Sequence, residues 1–259
     1  MIRKIACVIV GLMMVGIAPQ TSMATSFDLF ANFNDTGIQP ATGNPFTYGT
    51  ETSLNVGFTL FPNFGNTNCS GGSCQSAGTV DNYYRNNQFF GPTVGVVATG
   101  GTLTFPSSPN EVVPNNVLVI EPGTSILTVT RFTAPTAGVF TISGSFTDLQ
   151  QSVVILSILI NGVPEFASFY NGQSPYQAAI PFSIIDPLTQ EETVDFIIDG
   201  LGQQNFDVVG LTGQITEASA SLTGTPLPAA LPLFATGLGV MGLFGWSRKR
   251  RNVAAVVAA

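Results

Sequence analysis

The 259-residue chain is 44% hydrophobic and only 9% charged, has no histidine, and has a formal net charge of −7. Six of its eight basic residues lie in the two end segments, whereas all fifteen acidic residues fall between Asp28 and Glu217, so the middle of the chain has a net charge of −13. A domain this acidic excludes nucleic-acid binding, which depends on neutralisation of phosphates by Lys and Arg. The absence of histidine excludes Ser-His-Asp and Cys-His catalysis.

Residues 1–24 have the pattern of a secretory signal peptide. Arg3 and Lys4 precede an uncharged run from Ile5 to Ile17, and Ser22-Met23-Ala24 is a small-x-small site that predicts cleavage between Ala24 and Thr25. As a helix this run would be about 20 Å long, which is too short to cross a bilayer core of roughly 30 Å. We therefore predict that residues 1–24 direct export and are then removed.

Residues 25–224 are predicted to form the exported domain. They are rich in Gly, Pro, Asn, Ser and Thr, and their apolar runs are short and closely spaced, which predicts an all-β sandwich. In the first half, Leu54–Phe61 and Val94–Ala98 are the predicted strand pieces, separated by long surface loops. A separate small N-terminal domain, with a boundary near residues 100–125, is the alternative.

Two cysteines close a short loop in this first half. Cys69 and Cys74 flank Ser-Gly-Gly-Ser, and outside the cytoplasm such a pair predicts a disulfide that staples the loop. A zinc site would need four good ligands, which the sequence does not supply here. A redox-active pair is the remaining alternative.

The segment Asp81–Gly91 combines aromatic and amide side chains, a composition suited to stacking on sugar rings and bonding their hydroxyls. Tyr83 and Tyr84 are therefore candidate glycan contacts, the alternative being that these rings fill gaps in the core. Arg85 and Arg131 are the only cations of the domain, and each is expected to pair with a carboxylate.

The strand pattern is strongest between Ile126 and Glu217. Val139–Phe146 alternates, which places Phe140, Ile142 and Phe146 on one face, and Val153–Ile160 is apolar on both faces, which predicts a central strand. Asn161-Gly162 predicts a two-residue hairpin turn. Further strands are expected at 163–170, 192–199 and 206–215, with Val194, Phe196 and Ile198 inward and Asp195 and Asp199 outward.

Four acids near the end of the domain could bind Ca²⁺, because this ion takes hard oxygen ligands. They are Glu191, Glu192, Asp195 and Asp199. No Asp-x-Asp-x-Asp-Gly loop is present, and a solvated acidic strand face is the alternative. No metal ligand set, required cofactor or catalytic residue is assigned from the sequence.

The C-terminal segment predicts a single transmembrane helix. Leu227–Trp246 is uncharged and about 30 Å long as a helix, which matches one bilayer span. The basic cluster after it, Arg248, Lys249, Arg250 and Arg251, is a stop-transfer signal that places residues 252–259 in the cytoplasm. The glycines and prolines within the span weaken its insertion, which favours a transient hold over permanent anchoring.

Residues 225–251 resemble the PEP-CTERM sorting domain in its VPLPA variant, because Pro226, Leu227, Pro228 and Ala229 precede the apolar span and the basic cluster. The resemblance implies recognition and cleavage by an exosortase. Thr225 stands where the variant usually has Val, and residues 252–259 extend beyond the usual end. A looser resemblance to jelly-roll domains of such proteins and to jelly-roll carbohydrate-binding modules covers Arg131–Ile142, the Ile160-Asn161-Gly162 turn and Glu192–Phe196.

The leading hypothesis is a non-enzymatic structural protein, exported, held at the inner membrane as a precursor, and delivered to the cell surface or extracellular matrix. Its expected partners are the export machinery, an exosortase, the membrane through helix 227–246, and polysaccharide. The second hypothesis is a lectin-like carbohydrate-binding module on the same jelly-roll-like sandwich. The third is a hydrolase that uses carboxylates.

Overall fold

The computed structural model describes residues 24–69, 78–85, 91–105, 111–172, 178–202 and 207–218. Several predicted features lie outside these residues: positions 1–23 of the predicted signal peptide 1–24, Cys74 of the predicted disulfide, and the whole of the predicted sorting tail, membrane helix and basic cluster. Residues 23–219 form one compact unit. Within the described ranges the chain forms strands and no helix, so no helix there could cross a membrane.

The strands form two main antiparallel sheets and a small hairpin. Sheet 1 has the order β14-β11-β16-β9-β6-β5-β4, with β1 also paired to β16, and sheet 2 has the order β13-β12-β15-β10-β2-β3. Strands β7 and β8 pair only with each other. In chain order the strands are β1 Ser26–Asp28, β2 Phe46–Glu51, β3 Thr59–Leu60, β4 Asn63–Cys69, β5 Gly78–Tyr84, β6 Thr93–Gly100, β7 Leu103–Phe105, β8 Glu111–Val113, β9 Leu118–Glu121, β10 Leu127–Thr133, β11 Gly138–Asp148, β12 Val153–Ile160, β13 Val163–Asn171, β14 Ala179–Leu188, β15 Thr193–Asp199 and β16 Val209–Glu217.

The main core lies between the two sheets, as the predicted all-β sandwich requires. Phe140, Ile142 and Phe146 on β11 are 0% exposed and pack in the same cluster as Val194, Phe196 and Ile198 on β15. The inward faces predicted from alternation are therefore confirmed for both strands. Apart from β7 and β8, the strands before residue 125 belong to the same two sheets; for example, β2 pairs with β10 and β9 pairs with β16.

The turn at Asn161-Gly162 is confirmed. Both residues have positive φ, 50° and 78°, as a two-residue hairpin turn of this type needs, and β12 pairs with β13 across it. Strand β12 was predicted to be a central strand covered on both faces. On the core side this is confirmed, because Val154, Leu156, Ile158 and Ile160 are buried. On its other face Leu159 is buried but Ile155 remains 36% exposed.

One long strand was not predicted. Ala179–Leu188 forms β14 although it contains Pro181 and Pro187, because it lies at the edge of sheet 1 and pairs only with β11. Proline removes a backbone donor, and an edge strand tolerates this when the missing N–H would face solvent. The last strand begins at Val209, three residues later than expected.

Candidate functional site

The candidate site is a pocket on the outer face of sheet 1, beneath the β7–β8 hairpin. The hairpin packs Leu103 and Val113 against Val97 of β6 in a small second core that also includes Val117, Leu149 and Val208. A cavity of about 80 Å³ remains between the hairpin and the sheet. We call it the hairpin pocket.

The hairpin pocket has apolar walls and a few polar groups. Its polar lining is Asn82, Thr93, Glu111 and Glu121, and these four converge from β5, β6, β8 and β9. The remaining wall consists of Val80, Gly95, Val96, Val97, Phe105, Val113, Val119 and Val208. Apolar walls with a few convergent polar groups are the common form of a small-ligand site.

Glycine shapes the floor of the hairpin pocket. Gly95 lies opposite Asn82 across the β5–β6 pair, and a β-carbon built on Gly95 would approach the Asp81 carbonyl oxygen to 2.7 Å. Beside it, Asn82 Nδ2 donates to Thr93 Oγ1 at 3.0 Å, and Thr93 Oγ1 donates to the Tyr83 carbonyl oxygen at 2.9 Å. The amide and hydroxyl are therefore held in fixed positions by their own hydrogen bonds.

Both glutamates of the hairpin pocket have perturbed acidity. Burial raises the pKa of Glu111 to about 7 and that of Glu121 to about 8. The negative charges of Glu111 and Asp207 raise the pKa of Glu121 further, whereas a hydrogen bond from the Gly91 backbone opposes the rise. At neutral pH the Glu121 carboxyl is therefore mostly protonated and can both donate and accept hydrogen bonds.

A different arrangement of acids occupies the outer face of sheet 2. Arg131 donates from Nε and Nη2 to the two oxygens of Asp195, at 2.6 and 2.8 Å, and from Nη2 to Glu51 Oε1 at 3.3 Å. The Phe58 ring lies over the guanidinium, with its centroid 3.9 Å from Cζ. The predicted pairing of Arg131 with a carboxylate is confirmed. Asp195 points outward as predicted, but it is 0% exposed because this ion cluster and the loop after β2 cover it.

Three of the four acids considered for Ca²⁺ make separate contacts. Asp195 and Asp199 lie four residues apart on β15, about 13 Å at roughly 3.3 Å per residue. Asp199 Oδ1 accepts from Leu201 N at 2.9 Å, and Glu192 Oε2 accepts from Thr189 N at 2.6 Å. The backbone hydrogen bond at Thr189 lowers the pKa of Glu192. In the described part of the chain no group of three or more His, Cys, Asp or Glu side chains could hold a metal ion.

The two candidate glycan contacts lie in different environments. Tyr83 is 1% exposed and stacks on Tyr48 with ring centroids 5.2 Å apart, while Phe33 and Phe64 pack against its ring. Its ring therefore fills the core, as the alternative interpretation had it, and does not form a surface platform for sugars. Tyr84 is partly exposed at the end of β5.

Of the four polar residues of the hairpin pocket, sequence reasoning included only Asn82, within Asp81–Gly91, and missed Thr93, Glu111 and Glu121. A signal was present in Leu118-Val-Ile-Glu121 and Glu111-Val-Val, where an acid directly adjoins a short apolar strand. Such an acid is either exposed at a strand end or buried at a perturbed pKa. Only the position of the β7–β8 hairpin over the sheet decides between these alternatives.

No family model matches this chain, and no curated protein matches it. Among solved structures, the chain is similar to a family 35 carbohydrate binding module from an environmental isolate (17% identity, 39% of this chain and 77% of that chain, TM-score 0.26). It is also similar to a family 35 module from Clostridium thermocellum (11% identity, 50% and 92%, TM-score 0.28) and to a cyclase from Fischerella sp. TAU (12% identity, 76% and 99%, TM-score 0.33). At these TM-scores the likenesses carry no argument about function.

Proposed function

We propose that this chain is an exported carbohydrate-binding β-sandwich protein, and that the hairpin pocket receives one end of the saccharide. The observation that carries the proposal is the convergence of Asn82, Thr93, Glu111 and Glu121 on a pocket with an otherwise apolar wall. A sugar presents apolar C–H faces and hydroxyl edges. Valine side chains and the Phe105 ring suit the former, and the amide, hydroxyl and carboxyl groups suit the latter.

The size of the pocket limits what enters it. A volume of about 80 Å³ accommodates a substituent or part of a ring and not a whole oligosaccharide. The remainder of the ligand would lie outside the hairpin pocket. A protonated Glu121 favours a neutral hydroxyl partner, because a neutral carboxyl can donate to one oxygen and accept from another.

A glycan array probed with the purified full-length chain tests the proposal. We expect selective binding that Phe105→Ala and Glu121→Gln each weaken by at least about tenfold, equivalent to the loss of one good contact of about 1.4 kcal/mol. The matched control is Phe169→Ala, which removes a ring that is 64% exposed on the outer face of β13. Binding lost in Phe169→Ala but kept in Phe105→Ala would move the site to sheet 2. If the chain binds no glycan, the proposal is wrong and a purely structural role is favoured.

A second candidate, a carboxylate-dependent hydrolase, is favoured by one observation. Glu111 and Glu121 line the same pocket, burial raises the pKa of both, and glycosidases use a pair of carboxyl groups as acid and as base or nucleophile. Slow release of reducing ends from a bound polysaccharide, abolished by Glu111→Gln, would support this activity. Binding without turnover would leave the chain as a binding module.

We further propose that the C-terminal segment delivers this domain. The sorting motif Pro226–Ala229, the apolar span to Trp246 and the basic cluster to Arg251 would hold the precursor at the inner membrane until an exosortase cuts the tail. Mass spectrometry of the surface form tests this. We expect no peptides that span Trp246 in most molecules, and their abundance at the surface would favour a permanent anchor.

A further inference from the structure

Two aspartates are buried side by side where β11 ends and β16 begins. Asp148 is 0% exposed and Asp207 is 2% exposed. Asp148 Oδ1 accepts hydrogen bonds from the Ser152 backbone N at 2.9 Å and the Ser152 hydroxyl at 3.0 Å, and Asp207 Oδ1 accepts one from Val153 N at 2.8 Å. Because Ser152 and Val153 are consecutive, the two carboxylates flank the same short stretch of backbone.

The second oxygen of each carboxylate has no such partner. Asp148 Oδ2 and Asp207 Oδ2 are both buried, and neither has a hydrogen-bond partner within the ranges that the structure describes. Most buried polar atoms in proteins are hydrogen-bonded, so each unsatisfied one needs an explanation. Two neighbouring carboxylates that share this feature point to a missing positively charged group between or beside them.

Both aspartates are already held by backbone donors through Oδ1. Gln150 N also donates to Asp148 Oδ1 at 3.2 Å, and the hydrogen bond from Val153 N lowers the pKa of Asp207 against a larger rise caused by burial. The Asp148 charge raises the pKa of Asp207, in addition to the larger effect of burial, and the Asp207 charge in turn acts on Glu121. On the other side lies Tyr170, whose hydroxyl is 2.9 Å from the Phe146 carbonyl and 2.7 Å from the Ala178 carbonyl.

Side-chain cations are scarce in this part of the chain. Residues 24–218 contain only Arg85 and Arg131. Arg131 is engaged by Asp195 and Glu51 on the outer face of sheet 2, and Arg85 is exposed directly after β5. A buried pair of carboxylates is strongly disfavoured without a counter-charge. Neither arginine supplies it at Asp148 and Asp207 in the described structure.

We propose that Asp148 and Asp207 bind a calcium ion through their Oδ2 atoms. Ca²⁺ takes six to eight oxygen ligands in flexible geometry, and a site with two protein carboxylates leaves most positions to water and backbone carbonyls. Its two charges neutralise the two carboxylates, and its ligands supply the interactions that both Oδ2 atoms lack. With so few charged ligands the affinity is expected in the weak range of extracellular calcium modules, about 10⁻⁴–10⁻³ M. This site is separate from the acids at 191–199 and does not depend on the ligand of the hairpin pocket.

Calcium titration of the purified full-length chain at pH 7 tests the proposal. We expect heat of binding by calorimetry and a higher melting temperature with Ca²⁺ than with EDTA. Asp207→Asn keeps an oxygen that can accept from Val153 N but removes one charge, and we expect it to weaken calcium affinity at least tenfold. The matched control is Asp199→Asn, since Asp199 Oδ1 also accepts from a backbone N–H two residues away. The control should bind calcium like the parent chain.

Each other outcome overturns the proposal. A parent chain whose melting temperature does not respond to Ca²⁺, together with an Asp207→Asn variant of equal or greater stability, would show that the two carboxyls share a proton. Calcium binding lost in Asp199→Asn and kept in Asp207→Asn would place the ion among the acids of β15. If Asp207→Asn fails to fold, the titration of the parent chain and of Asp148→Asn decides the matter.

Discussion

The acids on the two outer faces of the sandwich lie in different environments: those on sheet 2 pair with an arginine, and those on sheet 1 have raised pKa values. On sheet 2, the loop after β2 covers Glu51 and Asp195, and both bond to Arg131 beneath the Phe58 ring. On sheet 1, Glu111 of the β7–β8 hairpin and Glu121 of β9 line the pocket beneath the hairpin, and burial raises the pKa of each. Each face has a small apolar cluster under its cover.

This difference indicates that the acids on sheet 2 stabilise the fold, whereas those on sheet 1 remain available to a ligand. An ion cluster with short, bidentate hydrogen bonds locks a loop to its sheet and leaves little capacity for a ligand. Glutamates kept partly neutral beside an amide and a hydroxyl retain hydrogen-bonding capacity at a cost in stability. We therefore expect substitutions on sheet 2 to act on folding and those on sheet 1 to act mainly on binding.

The largest effect is expected from Arg131→Ala. This change leaves Glu51 and Asp195, which are each 1% exposed or less, without their common counter-charge. Breaking a buried ion pair in this way costs about 3–5 kcal/mol in the free energy of unfolding, measurable by urea denaturation. Arg85→Ala, which alters an exposed arginine, is the control and should shift stability by less than about 0.5 kcal/mol. Equal effects of the two changes would show that the sheet 2 cluster contributes little.

A smaller effect is expected from Gly162→Ala. Gly162 has φ 78°, and a β-carbon there would collide with the Asn55 side chain of the loop that covers sheet 2. Strain in the turn and displacement of the loop should together cost about 1–3 kcal/mol, measured by the same denaturation experiment. Gly101→Ala is the control, because a β-carbon on Gly101 meets nothing within 4 Å. If Gly162→Ala left the free energy of unfolding unchanged, the loop after β2 would not be held at this turn.

An effect of opposite sign is expected from Glu121→Gln. Burial raises the pKa of Glu121 from its ordinary value of 4.5 to about 8 in the folded chain, so the folded state binds the proton more tightly and stability is lost as the pH rises from about 4.5 to 8. Glutamine has no charge to bury. We expect this variant to melt a few °C above the parent at pH 8 and to show a weaker pH dependence.

The same pH series includes its own controls. Glu111 and Asp207 also act on Glu121, so the variant should reduce the pH dependence and not abolish it. Glu165→Gln, on the exposed part of β13, should leave the profile unchanged. A parent chain equally stable at pH 5 and pH 8 would contradict the burial of the Glu121 carboxyl.

Local pattern predicted much of the second half of the fold. Alternation identified the inward faces of β11 and β15, and Asn161-Gly162 identified the hairpin, because each depends on residues close in the chain. Strand β14 escaped prediction because Pro181 argues against a strand unless the strand lies at an edge, and edge position is a property of the assembled sheet.

The candidate site was less accessible to prediction for the same reason. The composition around Tyr83 suggested a surface loop, yet the ring packs between residues 33, 48 and 64, which the strand pairings bring together. Glu111 and Glu121 meet only because the β7–β8 hairpin folds over three strands of sheet 1. Such long-range contacts leave no periodic trace in a single sequence.

The prolines of β14 affect how the edge of sheet 1 can pair with another molecule. An uncovered strand edge can pair with the edge of a neighbouring molecule, and repetition of that contact builds fibres. Pro181 and Pro187 occupy positions of the same parity on the terminal strand of sheet 1, where each removes a backbone donor from the open side. These two prolines therefore disfavour the pairing of this edge with a second molecule.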